Sequence, residues 1–553
     1  MAKEAGDILD EKEKEEAPFD VAVIGYGPVG VTLAGLLGRA GLRVGVFEKS
    51  REIFAQPRAV GFDHDAMRIF QRIGVADQLA PHIAPFSDGQ YFGVGGRLIR
   101  RVRRIPPPYP LTWDPNYTCD QPGMEAVLRG AVARFANVRV YLGEELTAME
   151  DDGIRVRLAL RDATGTTRRR AARYVIACDG ASSPARRMLG IELENMQYDE
   201  PWVVVDVRVE DEHLAKLPAT NVQYCQPEQP CTFITCPGNH RRWEFMMERG
   251  APTEGALSEE RLWQLLSRWL KPGEATIWRA SAYQFHALIA RDWRRGRVLL
   301  AGDSAHQTPP FLGQGMCQGL RDTVNLAWKL ELVLRGKAPD ALLDSYAKER
   351  RPHVVETTRM AKEIGQLISE RDPERARLRD ERIYADNGGE APTVLRQDMI
   401  PGLSTGLIAV GTPKAGKVFP QPMVKGDTDD SLRLLDDLAE PCARLVICSG
   451  GDTPLADAAD TNTLIAAARA HSMLVQVLTA TGEIPHRING VAFVQEKDGL
   501  LHDWFAAAPC RGALVRPDHY VFGGFNTAAE AVALVQAYSA GITNQTKASE
   551  YRS

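Results

Sequence analysis

The turn Gly25-Tyr26-Gly27-Pro28-Val29-Gly30 constrains this chain more than any other stretch. The apolar residues 19–24 lead into it, and Val31, Leu33, Ala34, Leu36 and Leu37 then recur at helical spacing. Arg43-Val44-Gly45-Val46-Phe47-Glu48 follows as a second strand. Strand, turn, helix and strand in that order make a right-handed parallel unit. Gly25, Gly27 and Gly30 allow the tight turn and let backbone approach a pyrophosphate at the helix N-terminus. Alone, G-x-G-x-x-G is weak evidence; with an acid ending the second strand it predicts a dinucleotide site. Glu48, with Lys49 beside it, is placed to hold both ribose hydroxyls of an adenosine, and its charge disfavours a 2′-phosphate. This site should therefore hold FAD or NAD and not NADP.

A second strand-to-helix junction lies far downstream. Arg297-Val298-Leu299-Leu300 reads as a buried strand, Gly302-Asp303 ends it, and Pro309-Pro310 with Gly313-Gln314-Gly315 shape a loop. Met316 opens a helix in which Leu320, Val324, Ala327 and Leu330 recur. The first amides of that helix favour an anion or a polarised carbonyl, and Gly313 and Gly315 permit close approach. Asp303 is a strand-end carboxylate suited to a ribityl hydroxyl. Between the two junctions, Asp179-Gly180-Ala181-Ser182-Ser183-Pro184-Ala185-Arg186 gives D-G-x-x-S-x-x-R after a strand, a sensible second contact with the same cofactor.

These motifs, in this order, closely resemble the fingerprints of the single-component FAD-dependent aromatic hydroxylases, the group A flavoprotein monooxygenases. In detail, residues 315–322 and 514–518 look most like the 3-(3-hydroxyphenyl)propionate hydroxylases of the phenol hydroxylase branch. The resemblance implies FAD as cofactor, NADH or NADPH as a transient co-substrate, and insertion of one oxygen atom of O2 ortho or para to an existing hydroxyl of a small phenolic acid. It places Asp303 at the ribityl or pyrophosphate region, Pro310 and the glycine loop along the isoalloxazine, and Arg58 near the phosphates or flavin. Gln121 falls on the ribityl chain, and Asp179 and Gly180 where FAD and pyridine nucleotide come close. One departure is Cys317, where many relatives have Asn; a thiol is the poorer hydrogen-bond donor. A base or phenolate-stabilising donor should sit in the pocket, with His64, Tyr224 and Tyr283 as candidates beside Pro310. Arg208, Arg242 and Arg279 are unranked candidates for a substrate carboxylate. There is no second G-x-G-x-x-G, so the nicotinamide should bind transiently at the surface, with the flavin free to swing between exposed and buried positions. Two alternatives remain open: a hydroxylase of a polyketide or antibiotic, and a flavin-binding protein that hydroxylates nothing.

A chain of 553 residues should hold two or three domains. The expected fold is α/β: a Rossmann-like FAD-binding domain, an inserted antiparallel-sheet substrate domain and a C-terminal thioredoxin-like domain. The expected boundaries are a disordered tail at 1–17, FAD-binding parts at 18–197 and 297–398, the sheet domain at 198–296, and the thioredoxin-like domain at 399–553. Residues 138–141, 154–160 and 168–177 read as a small antiparallel sheet. Tyr224, Phe233, Phe245, Tyr283 and Phe285 should line the substrate pocket, and residues 371–397, charged and containing Gly and Pro, should form a linker or a loosely packed crossing. The C-terminal domain lacks CxxC, so subunit contact, giving a homodimer, is expected of it rather than thiol exchange.

A formal charge of -5 gives no electrostatic reason to expect nucleic acid or a membrane surface. Nine cysteines, odd in number and without a CxxC pair, suit reduced thiols in the cytoplasm. Cys225, Cys231, Cys236 and His240 lack the spacing of a structural zinc knuckle, so no metal is expected.

Overall fold

Short aliphatic runs that end at glycine or an acid build the first sheet. Val21, Ala22 and Val23 are fully buried, as expected of parallel strands covered on both faces. The computed structural model describes residues 17–543 except 87, 249, 251–256, 427–430, 450–457, 480–490 and 509; the expected tail, but for its last residue, lies outside that range. The chain divides into two compact units. The first is Met1–Ile105, Pro115–Thr323 and Val354–Ile400; the second is Pro106–Asp114, Val324–His353 and Pro401–Ser553.

In the first unit four strands lie side by side and parallel: Val298–Leu300, Thr167–Ala177, Phe19–Ile24 and Val44–Glu48. Their carboxyl ends carry, in that spatial order, Gly302-Asp303, Asp179-Gly180, the Gly25–Gly30 turn and Glu48. Motifs separated by up to 278 positions thus reach one sheet edge, where ligands of open α/β sheets bind. Strand Val138–Leu142 is not part of the small antiparallel sheet expected of it; it extends the parallel sheet beside Val44–Glu48. Antiparallel pairing is confined here to Glu144–Asp151, Val156–Asp162, the start of Thr167–Ala177 and the edge strand Arg294–Arg295.

The second sheet of this unit has nine strands. Its centre is the pair Leu193–Val209 and Ala275–Ala290, flanked by His240–Met246, Cys231–Thr235 and Asn221–Tyr224. It also recruits Asp88–Phe92, Leu98–Arg103, His306–Gln307 and Thr393–Leu395, all outside the interval 198–296. One face carries Val203, Val205, Val207, Phe233, Trp243 and Phe245, packed with Leu262 and Leu266 of helix Glu259–Leu266. Tyr224 belongs to that same apolar layer.

Residues 371–397 are not a linker. They form helix Pro373–Asp386, capped by Asp372 accepting from the Arg375 amide at 2.8 Å, and then the edge strand Thr393–Leu395. The charges that suggested a linker satisfy one another along the exposed helix face, as Arg377 does with Glu374 and Glu381.

The second unit holds a seven-stranded sheet. Arg444–Ser449, helix Ala458–Ala470 and Leu474–Thr479 form a parallel pair; Gly512–Val515 and Val521–Phe525 add antiparallel strands, and helix Ala528–Thr543 follows. This is the strand order of a thioredoxin-like sheet, extended by Val491–Glu496, Met423–Gly426 and Leu432–Leu434. No helix among the described residues is long and apolar enough to cross a membrane.

Candidate functional site

Turn geometry fixes the start of the site. Gly25 has φ of +98°, and a Cβ there would lie 2.4 Å from the Cys178 carbonyl oxygen; one on Gly30 would lie 2.0 Å from that of Gly25. Gly27 differs: a Cβ there meets nothing within 4 Å, and the residue borders a cavity of about 530 Å³. Pro28 and Val29, at the N-terminus of helix Pro28–Arg39, border it too.

Glu48 ends its strand with Oε2 accepting from the Tyr26 amide and Oε1 from the Ser50 amide, both at 2.8 Å. Lys49 is exposed. The Gln121 Oε1 accepts from the amides of Arg58 (3.0 Å) and Ala59 (2.6 Å), so the side chain holds the Arg58 loop against the cavity. Gln121→Leu is expected to cost about 1–3 kcal/mol by stranding those amides; thermal unfolding of the variant checks it.

The D-G-x-x-S-x-x-R segment and the downstream loop are tied together. Ser183 caps the short helix Pro184–Met188 by accepting from the Arg186 amide, and buried Arg186 donates to the carbonyls of Ala181 and Ser304 at 2.9 Å each. Asp179 Oδ2 accepts from the Ala185 amide at 3.0 Å; its Oδ1 is buried without a partner among the described residues, and burial raises the carboxyl's pKa. Gly302, at φ of +63°, donates to Asp322 Oδ2, which also bonds His306 Nε2 at 2.8 Å. Asp303 is exposed to the cavity, and the protein enclosing that opening raises its pKa despite His306 and Arg58. Gly180, Pro310, Gly313, Gly315 and Met316 border the same space. Cys317 is buried and turns its thiol to the Gly313 carbonyl at 3.6 Å.

The catalytic candidates separate. Tyr283 borders the cavity, its hydroxyl joined to Arg279 Nη2, and Phe285 borders it as well. His64 does not: it lies in the first turn of helix His64–Arg72, and burial lowers its pKa. Beside it Arg321 clamps Asp63 (2.6 Å) and Asp65 (2.8 Å) and donates to Gln314 Oε1 at 2.9 Å. Tyr224 does not border the cavity either; its hydroxyl accepts from Trp269 Nε1 at 3.2 Å in the apolar layer. Phe233 and Phe245 share that layer, so three of the five expected lining aromatics face the other way. Alternation decides it: the helix-covered face of the sheet takes the large apolar side chains.

The cavity face of the sheet is polar, a feature the sequence reading missed. Asp206 accepts from His240 Nε2 (2.7 Å), Arg242 Nε and Nη2 (2.7 and 2.9 Å) and Arg279 Nη1 (3.2 Å). Arg242 also donates to the carbonyls of Arg58 and Pro57, at 2.8 Å each, which docks the Arg58 loop on the sheet. Burial alone would raise the Asp206 pKa, but His240 and Arg242 bring it down to about 2. Its stabilisation is present above the unfolded value of about 3.9 and is lost as pH falls through about 2. A loss on the order of 2–3 kcal/mol over that window is expected in acid unfolding, and Asp206→Asn should flatten it.

Arg208, the third arginine considered for a substrate carboxylate, is exposed and lies over the Trp278 ring at 4.2 Å.

An FAD-binding domain family matches residues 18–361, and the HcaD C-terminal domain family matches residues 416–541. A probable NADH-specific resorcinol 4-hydroxylase of Rhodococcus jostii (strain RHA1) is 34% identical over 95% of both chains. A 3-(3-hydroxy-phenyl)propionate/3-hydroxycinnamic acid hydroxylase of Comamonas testosteroni is 30% identical, covering 92% of this chain and 95% of that one. Among solved structures, the flavin-dependent monooxygenase PieE with FAD and substrate superposes with TM-score 0.77 at 20% identity, covering 96% of this chain and 100% of that one. Aklavinone-11 hydroxylase with FAD and aklavinone gives 0.74 at 22%, covering 95% and 99%. The residues present fit FAD: open space at Gly27, a carboxylate oxygen on Asp179 with no partner among the described residues, and the Asp303 carboxyl meet at one sheet edge. With family match, whole-length relatives and fold in agreement, the chain belongs to the FAD-dependent aromatic hydroxylases, the group A flavoprotein monooxygenases.

Proposed function

We propose that this enzyme hydroxylates a small phenol, ortho or para to an existing hydroxyl, with NADH as reductant, in the breakdown of aromatic compounds. The observation that carries this is the single cavity on which the Gly27 turn, Asp303, Pro310 and Tyr283 converge. Relatives named for resorcinol and 3-(3-hydroxyphenyl)propionate, at 34% and 30% identity, support a small ring, whereas the hydroxylase crystallised with aklavinone is 22% identical.

FAD, when bound, supplies electron transfer from the pyridine nucleotide and activation of dioxygen. The chain's own tasks are positional and electrostatic. Gly27, Pro28 and the amides of the helix they open receive the pyrophosphate; Glu48 takes the adenosine ribose. Gln121, Asp179 and Asp303 address the ribityl and phosphate portion. Pro310, Gly313 and Gly315 shape the wall for the flavin ring, and Tyr283 and Phe285 face the substrate ring and exclude water from it. The enzyme works in the cytosol on this reading, which its odd number of cysteines without a CxxC pair supports. It is a homodimer through its C-terminal unit, where Leu432 is exposed on an edge strand.

The test is NADH consumption by the FAD-loaded protein with a panel of hydroxylated benzenes and phenylpropanoids. Strong stimulation with one hydroxylated product per NADH is expected. No acceleration by any phenol would overturn the reading in favour of a flavin protein without hydroxylase activity, and turnover only with large polycyclic phenols would favour the polyketide alternative.

A further inference from the structure

Strand register arranges the cavity face of the nine-stranded sheet in transverse rows. Arg279, Asp206, Arg242 and Ile234 pair successively in one; Val204, Glu244, Thr232 and Gln223 pair in the next. Each row holds one acid, and their surroundings are opposite. Asp206 is saturated by its histidine and two arginines. Glu244 is 4% exposed and borders the cavity, yet no hydrogen bond reaches its carboxylate among the described residues. Its nearest ion-pair partner is Arg242 Nη1, at 4.0 Å.

The neighbouring donors are already engaged. Arg242 is held by Asp206 and the carbonyls of Pro57 and Arg58; Arg279 by Asp206, Pro57 and Tyr283; and Thr232 donates to Gln223 Oε1 at 2.6 Å. A carboxyl this far buried with no donor among the described residues is uncommon, and what access it keeps is to the cavity. Burial pushes its pKa up to about 7, with Arg242 and Arg279 pulling down and Asp206 pushing up. Two acids one row apart, held at opposite ends of the range, are the pattern by which a site separates a structural charge from a proton acceptor. The missing donor is then a group on the ligand.

We propose that Glu244 is the residue that receives the ring hydroxyl of the substrate and takes its proton as the phenol ionises. The substrate O–H bond breaks, an Oε–H bond forms on Glu244, and the electron pair stays on the phenolate oxygen, raising electron density at the ortho and para carbons. The inference rests on the phenol-hydroxylase reading and sharpens it: the group that meets Glu244 is a neutral hydroxyl, because a carboxylate at that place would face the Glu244 carboxylate. If the substrate carries an acid tail, the donor for it is Arg396 on the loop wall, whose buried Nε has no partner among the described residues.

The experiment compares the FAD-loaded wild type with Glu244→Gln, using resorcinol and 3-(3-hydroxyphenyl)propionate as probes. The glutamine keeps shape and an accepting oxygen but not the basicity. Expected are wild-type FAD content, ligand affinity within a few-fold of wild type below pH 7 by flavin absorbance, and a turnover number above pH 7 lower by about a hundredfold. The limb of the kcat/KM pH profile near pH 7 should vanish. Glu244→Gln with unchanged turnover and pH profile would overturn the role of Glu244. If this variant does not hold FAD, binding to the wild type decides. Resorcinol should bind about tenfold more tightly above pH 7 than below it, since a bond to a charged acceptor is the stronger; pH-independent binding would overturn the proposal. A wild type that hydroxylates no phenol would instead overturn the functional reading itself.

Discussion

Gly27→Ala is expected to give a folded protein that binds FAD about ten- to a hundredfold more weakly than the wild type. The added methyl meets no protein atom within 4 Å, and Gly27 has φ of -74°, which alanine adopts without strain. Apoprotein stability should therefore stay within about 0.5 kcal/mol of wild type. The cost falls on the ligand: overfilling a close contact costs about 1–3 kcal/mol, and each 1.4 kcal/mol is about tenfold in affinity. Gly30→Ala makes the informative contrast. Its methyl would collide with the Gly25 carbonyl, and Gly25 cannot yield because its own Cα faces the Cys178 carbonyl. That variant should lose both FAD affinity and apoprotein stability. Titration with FAD beside thermal unfolding of the two apoproteins separates the effects. Wild-type FAD affinity in Gly27→Ala would show that the pyrophosphate is not held at this turn.

Arg516→Leu should produce the largest loss of stability. In the second unit Arg516 is fully buried and donates to Glu349 Oε1 (3.0 Å) and Oε2 (2.7 Å), to Asp518 Oδ1 (3.0 Å) and Oδ2 (2.6 Å), and to the Leu407 carbonyl at 2.8 Å. Lys329 and Asn325 complete the cluster on Glu349 Oε2, at 2.7 Å each. Burial alone would raise the Glu349 pKa, but Arg516 and Lys329 hold the carboxyl well below the usual range. Leucine leaves two buried carboxylates facing a single lysine. Breaking a buried pair from one side costs about 3–5 kcal/mol, which for a unit of this size lowers the melting temperature by roughly 6–20 °C. The pH dependence has a definite sign: Glu349 contributes stability above its unfolded value of about 4.3 and loses it under acid, so the gap between variant and wild type should narrow as pH falls. Arg359→Leu, which removes an exposed arginine from Glu356 and Glu363, should melt close to the wild type. Equal melting of wild type and Arg516→Leu would mean that this cluster does not hold the second unit together.

What could be read along the chain was local. The Gly25–Gly30 turn, the Asp179-Gly180 segment and the Gly302–Gly315 loop each announce a strand-to-helix junction by residue type, because only glycine accepts the positive φ or the close approach. Strands such as Arg444–Ser449 and Leu474–Thr479 announce themselves by apolar content. The linker reading of 371–397 went astray because charge density says how solvated a face is, and helix Pro373–Asp386 keeps most of its charges on such a face while burying Ala376 and turning Asp380 inward to accept from the Val94 amide.

The sequence by itself determined the strand-to-helix junctions, since their motifs are local and sterically exclusive. It left open which face of the large sheet would look into the cavity, because in a strand a shift of one residue exchanges the faces and no single strand says where the covering helix will lie. Only tertiary structure turned Tyr224, Phe233 and Phe245 into core, brought Asp206 under two arginines, and left Glu244 beside them without a donor among the described residues. Proton affinity at such a site belongs to the neighbours that folding supplies, and those neighbours come from strands far apart along the chain.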